Sequence, residues 1–140
     1  QDHQRDQAGL AERVRFEVAS ATTFSGSYDL VCFFDCLHDM GDPAGACAHA
    51  RDHLAPGGTL MVIEPFAADD IAGNLNSVGA AYYGFSTLLC TPSSLSQDTG
   101  TALGAQAGEA RLREIVTSAG FATLRRVAET PFNIVLEARA

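Results

Sequence analysis

The spacing of apolar and polar positions divides this chain into short segments with different periods. Val14, Phe16 and Val18 alternate with Arg15 and Glu17, and that period of two predicts a strand over 14–19. Ahead of it, residues 2–12 read as the tail of a polar helix ending near Ala8-Gly9-Leu10. Past the Thr22–Ser27 loop, Tyr28-Asp29-Leu30-Val31-Cys32-Phe33-Phe34 is apolar without alternation, the pattern of a parallel strand buried on both faces. Gly41-Asp42-Pro43 then predicts a helix start, with Asp42 as N-cap and Pro43 at the first position. That helix runs to about Leu54 with Ala46, Cys47, Ala50 and Leu54 on one face. Pro56-Gly57-Gly58 ends it and leads into a second buried strand, Thr59–Glu64.

Residues 66–106 break the rhythm. They are rich in Gly, Ser, Asn and Thr yet hold Tyr82, Tyr83, Phe85, Leu88 and Leu89, so they read as an inserted, partly helical lid. A helical pattern returns from Gly108 to Ala119 (Ala110, Leu112, Ile115, Val116) and closes on Gly120. Two strands follow, about 121–129 and 132–138. The short Thr130-Pro131 link forces them antiparallel, because a parallel partner needs a long crossover. Strands alternating with helices predict a doubly wound α/β sheet whose edge is an antiparallel hairpin.

Composition narrows the function classes. With 140 residues and 46% hydrophobic content the chain can build one packed domain. A formal charge of -8 argues against a nucleic-acid surface, whose affinity rests on neutralising phosphates, and against docking on anionic lipid. No apolar run approaches the ~18 residues of a spanning helix. The opening residues have no apolar core of the kind a signal peptide needs. The four cysteines, Cys32, Cys36, Cys47 and Cys90, form no CxxC pair, and the expectation is reduced thiols in a cytoplasmic protein.

Several motifs, taken in order, resemble one family. Phe34-Asp35-Cys36-Leu37-His38-Asp39, Leu54-Ala55-Pro56-Gly57-Gly58-Thr59, Val62-Ile63-Glu64-Pro65, Ala119-Gly120-Phe121 and the final hairpin are similar to class I S-adenosylmethionine-dependent methyltransferases. The Leu37-His38-Asp39 segment and the lid look most like small-molecule O-methyltransferases. They resemble in particular a bacterial group that also carries an N-terminal winged-helix-like dimerisation domain. The resemblance implies a Rossmann-like class I methyltransferase sheet lacking its first two strands, with residues 1–140 a partial domain and the lid at about 66–106. No glycine-rich cofactor loop occurs in the sequence, and the length and Gln1 are therefore expected to mark a truncation.

The same resemblance distributes the chemistry. S-adenosyl-L-methionine is the expected cofactor and a small-molecule hydroxyl the acceptor. His38 matches the base, a role its ordinary pKa suits; the alternative is that it only buttresses the following turn. Glu64 matches the acid that orients the base, or else is a solvated strand end. A second acid of the family falls near Gln106, where an amide stands instead. Cofactor contacts are expected from Ser20, which replaces an acid near the adenine, and from Phe34 and Asp35. For Asp35 an equal reading is a carboxylate that accepts backbone N–H groups in the turn. Tyr82, Tyr83 and Phe85 either wall an apolar acceptor pocket or pack the lid on the sheet. His49 and His53 have metal-ligand spacing but no evident third ligand, so no metal is expected.

Three functions compete: a methyltransferase portion inactive in isolation, a binding or regulatory domain that kept this fold, and a nicotinamide-dependent reductase. The hairpin and the lack of a G-x-G-x-x-G run count against the last. Strand 14–19, deprived of neighbours, is expected to pair with 28–34, detach, or join another molecule as a homodimer or strand-exchanged assembly.

Overall fold

A computed structural model describes residues 9–140; residues 1–8, on which most of the expected N-terminal helix falls, lie outside the described part. A four-stranded sheet organises the rest. In chain order the main elements are β1 (Tyr28–Phe34), α1 (Pro43–Asp52), β2 (Leu54–Pro65), α2 (Ser77–Phe85), α3 (Thr91–Leu95), α4 (Glu109–Ser118), β3 (Thr123–Glu129) and β4 (Asn133–Arg139). The sheet order is β1-β2-β4-β3. β1 and β2 are parallel, while β4 runs antiparallel to both β2 and β3. This is the α/β sheet closed by a C-terminal antiparallel hairpin that the sequence pattern predicts.

Local signals explain most of the elements. The Asp42 side chain accepts from Gly45 N and caps α1, with Pro43 next. α1 ends two residues short of Leu54, which already pairs with Tyr28. The register then jumps from Tyr28↔Leu54 to Leu30↔Thr59, and the extra residues loop out at Gly57, whose φ of 80° favours glycine. α4 buries Leu112, Ile115 and Val116, while Ala110, expected on that face, is exposed. Gly120 (φ 94°) turns the chain out of α4 beneath Arg51, whose Nη1 donates to Ala119 O at 2.7 Å.

The core sits on one side of the sheet. Phe33, Leu60, Val62, Ile134, Leu136 and Ala138 pack against Ala46, Cys47 and Ala50 of α1 and Leu112, Ile115 and Val116 of α4. On the other side Met61, Ile63 and Val135 are only half-buried. Two expectations are corrected here. Residues 14–19 form no strand; the alternation is real, but no neighbour offers its backbone groups a ladder, and Phe16 and Val18 are exposed. β1 is not buried on both faces: it is the edge of the sheet, and of its residues only Phe33 is fully buried.

Between β2 and α4 the chain is largely helical. α2 passes through a π turn (Ser86–Cys90) directly into α3. Residues 94–104 then fasten onto the turn after β1. Ser94 Oγ donates to Met40 O, Gln97 Nε2 to Asp39 O, Gly104 N to His38 O and Thr101 N to Gly41 O.

Candidate functional site

The register of the parallel pair creates the site. Phe34 is opposite Ile63, so the turn after β1 emerges beside the last residues of β2. A single 3-10 turn, Leu37–Asp39, follows, and it places His38 against Glu64. Glu64 is 1% exposed and His38 5%. Glu64 Oε1 accepts from Leu37 N at 2.8 Å, and Oε2 lies 2.5 Å from His38 Nδ1. A buried carboxylate is costly unless its oxygens are satisfied, and here both are. Because Glu64 can only accept, Nδ1 carries the proton and the neutral ring presents its lone pair at Nε2.

The electrostatics make His38 more basic. Burial by itself pushes its pKa down. The hydrogen bond and charge of Glu64 outweigh that, together with the charges of Asp39 and Asp35, and hold it above the ordinary histidine value. Asp39 Oδ1 lies 3.4 Å from Nε2, on the side of the ring away from Glu64. A proton taken at Nε2 therefore faces Asp39, and the charged ring lies between two carboxylates. Cys90, reaching in from the π turn, is pushed up to about 11 by burial and by Asp39, so its free thiol is a poor nucleophile. Burial likewise pushes Cys47 up to about 12.

The other sequence-derived candidates are spread around this pair. Asp35, the residue directly after β1, has φ 53°, an uncommon backbone for a residue with a side chain, while its N–H donates to Ile63 O. Its carboxylate is exposed and accepts no backbone N–H among the described residues, which removes that alternative. Phe34 is 64% exposed beside it. Ser20 borders a cleft of about 400 Å³ along β1, and also one of about 440 Å³ that reaches Met40, Gly41 and Gln97. Neither cleft is lined by Phe34 or Asp35, so the structure does not gather these three residues around one cavity.

Tyr82 and Phe85 share a cleft of about 390 Å³ with Val78 and Phe132, and Tyr82 Oη donates to Phe132 O. Tyr83, one residue on, faces a different cleft beside Asn74 and Leu75. Gln106 makes no hydrogen bond to His38 or Glu64; its Oε1 is buried without a partner among the described residues. His49 meets Phe24 edge-to-face and His53 packs on it at a tilt, and His49 Nε2 bonds to Phe24 O. Sequence reasoning missed Ser94 and Gln97, which hold the His38 turn in place. Polar residues in a polar segment carry no local signal of that task.

Comparison with known proteins agrees with this architecture. A family profile described as a methyltransferase domain matches residues 2–124. Among solved structures, an O-methyltransferase family protein from Burkholderia thailandensis is similar at 19% identity and TM-score 0.68, over 99% of this chain and 39% of that one. An O-methyltransferase family 2 protein from Planctomyces limnophilus, in complex with apigenin, is similar at 14% identity and TM-score 0.73, over 99% and 39%. An O-methyltransferase from neocarzinostatin biosynthesis, in complex with S-adenosyl-L-homocysteine and 1,4-dihydroxy-2-naphthoic acid, is similar at 21% identity and TM-score 0.70, over 99% and 37%. The chain thus spans under two-fifths of the length of these proteins. No curated protein matches it in sequence. No helix among the described residues is long and apolar enough to cross a membrane.

Proposed function

The chain belongs to the methyltransferase domain family, and on that premise we propose that it takes part in methyl transfer from S-adenosyl-L-methionine to a hydroxyl of a small molecule. The observation that carries the reading is the buried Glu64–His38 pair, whose Nε2 points away from Glu64 towards Asp39. The cofactor supplies the electrophilic methyl group. His38 removes the acceptor's hydroxyl proton at Nε2. Glu64 holds the ring in one tautomer and balances the charge that His38 gains, and Asp39 adds to that balance. Ser20, Phe34 and Asp35 would hold the cofactor from one side. Tyr82 and Phe85 would face the acceptor, with Tyr83 at the margin and Gln106 accepting a hydrogen bond from it. The segment 66–106 acts as the lid over that pocket.

Residues 1–140 by themselves are expected to bind the cofactor weakly and to show no turnover, since these contacts line only one side. Calorimetric titration with S-adenosyl-L-methionine, on this chain and on any longer chain that contains it, tests the proposal. Absence of binding in both would sink it. In an active form His38→Ala should lower the rate by about 10²–10⁴. Two substitutions favour a second reading, a binding domain that kept the fold: Ser20 and Gln106 stand where acids are expected. An unaltered rate in His38→Ala would decide for it. The outer edge of β1, which pairs with no strand among the described residues, supports self-association through that strand, read by sedimentation of the purified chain.

A further inference from the structure

The turn that carries His38 holds a second kind of chemistry. His38, Asp39 and Cys90 each offer a ligand atom, and the three atoms lie within 4.8 Å of one another. We propose that they form a site for a borderline divalent cation of the Zn²⁺ class, bound through His38 Nε2, Asp39 Oδ1 and Cys90 Sγ. The binding itself is independent of the catalytic reading. Its consequence, competition with the acceptor proton for Nε2, rests on His38 being the base.

One ligand spacing already matches what such an ion requires, and the two to Cys90 Sγ lie within 4.8 Å. Tetrahedral zinc with nitrogen, oxygen and sulfur ligands sets neighbouring ligand atoms about 3.4–3.6 Å apart, and Nε2 and Oδ1 already lie 3.4 Å apart. Oδ1 is buried and lacks a hydrogen-bond partner among the described residues, so coordination would satisfy an oxygen that is otherwise orphaned. Glu64 on Nδ1 completes a carboxylate–histidine–metal arrangement, which fixes the ring and raises the basicity of the ligating nitrogen. The π turn delivers the third ligand: Cys90 sits 8% exposed where α2 widens before entering α3.

Access and selectivity follow from the same residues. The three ligand atoms are themselves buried, but the Asp39 side chain is 46% exposed, so an ion and a water for its fourth position would enter from the Asp39 side. One imidazole, one carboxylate and one thiolate select zinc-like ions over Mg²⁺ or Ca²⁺, which prefer oxygen shells. The thiol proton passes to solvent as the ion binds. The helical pair His49 and His53 is a weaker competitor, because His49 Nε2 is bonded to Phe24 O and His53 Nδ1 to His49 O.

Titration of the reduced chain with Zn²⁺ and with Co²⁺ tests the site, with no cofactor or acceptor present. One ion per chain is expected, with a thiolate-to-cobalt charge-transfer band in the Co²⁺ form. Asp39→Asn and Cys90→Ser should each weaken Zn²⁺ binding at least about tenfold, Cys90→Ser should abolish the band, and His49→Gln should change neither. Proton resonances of the His38 ring should shift with Zn²⁺ while those of His49 and His53 stay put, a reading that needs no variant. Unchanged affinity in Cys90→Ser, a band that survives it, or shifts confined to His49 and His53 would overturn the site. If zinc binds here but His38→Ala leaves methyl transfer unaltered in an active form, the base reading fails and the metal site stands.

Discussion

β1 and β2 are both strongly apolar neighbours in one parallel pair, yet they meet different fates. In β2, Leu60 and Val62 are wholly buried beneath α1 and α4. In β1, Leu30 is 50% and Phe34 64% exposed, because among the described residues β1 has a strand partner on one edge only. Hydrophobicity states what a strand can bury; position in the sheet states what it does bury. The candidate site straddles this boundary. Glu64 and His38 lie on the buried side and are fixed by hydrogen bonds, while Phe34, Asp35 and Ser20 lie on the open side.

The contrast can be broken first by truncation. Leu60→Ala should destabilise by about 2–5 kcal/mol, the cost of lost transfer energy plus a cavity, whereas Leu30→Ala at the open edge should cost under about 1 kcal/mol. Urea denaturation of the two variants measures it, and equal losses would refute the asymmetry. Next in size is the cap of α1. Asp42→Ala removes the acceptor for Gly45 N and should cost about 0.5–2 kcal/mol, seen as a lower urea midpoint with unchanged slope.

The pH dependence sharpens the comparison at the site itself. His38 is held above its unfolded value of about 6.5, so the folded state binds its proton more tightly than the unfolded state does. Its stabilising contribution is therefore fully present below about pH 6.5 and is lost as pH rises through the raised folded value. Glu64→Gln removes the main charge that raises it. The variant's stability should fall less steeply across that window, and its His38 ring resonances should titrate at lower pH. Parallel slopes in the two proteins would contradict the pairing. The smallest expected effect is on the open side: Leu30→Ser should leave the urea midpoint nearly unmoved while weakening any self-association through β1, as sedimentation would show.

Much of the fold is legible locally. Asp42-Pro43 announces α1, the apolar spacing of Leu112, Ile115 and Val116 announces α4, and a two-residue link makes the last strands a hairpin. Residues 14–19 show where local reading stops: their alternation is that of a strand, but a strand exists only when another chain segment takes its hydrogen bonds. The site divides in the same way. The motif around His38 and the acid at Glu64 are visible as residues, and the resemblance pairs them. Ser94 and Gln97, which tie residues 39–41 to α3 and the segment that follows it, leave no trace in the pattern.

The sequence by itself determined the elements whose signals are local: caps, helical faces, glycine turns and the antiparallel hairpin, each set by side chains within a few residues of one another. Only the tertiary structure decided which strand would be an edge and which oxygens would find donors. It also brought Cys90 from a π turn to a histidine more than fifty positions earlier. Those outcomes depend on which distant backbone or side chain arrives as neighbour, and burial, pKa and ligand geometry are properties of the neighbour as much as of the residue.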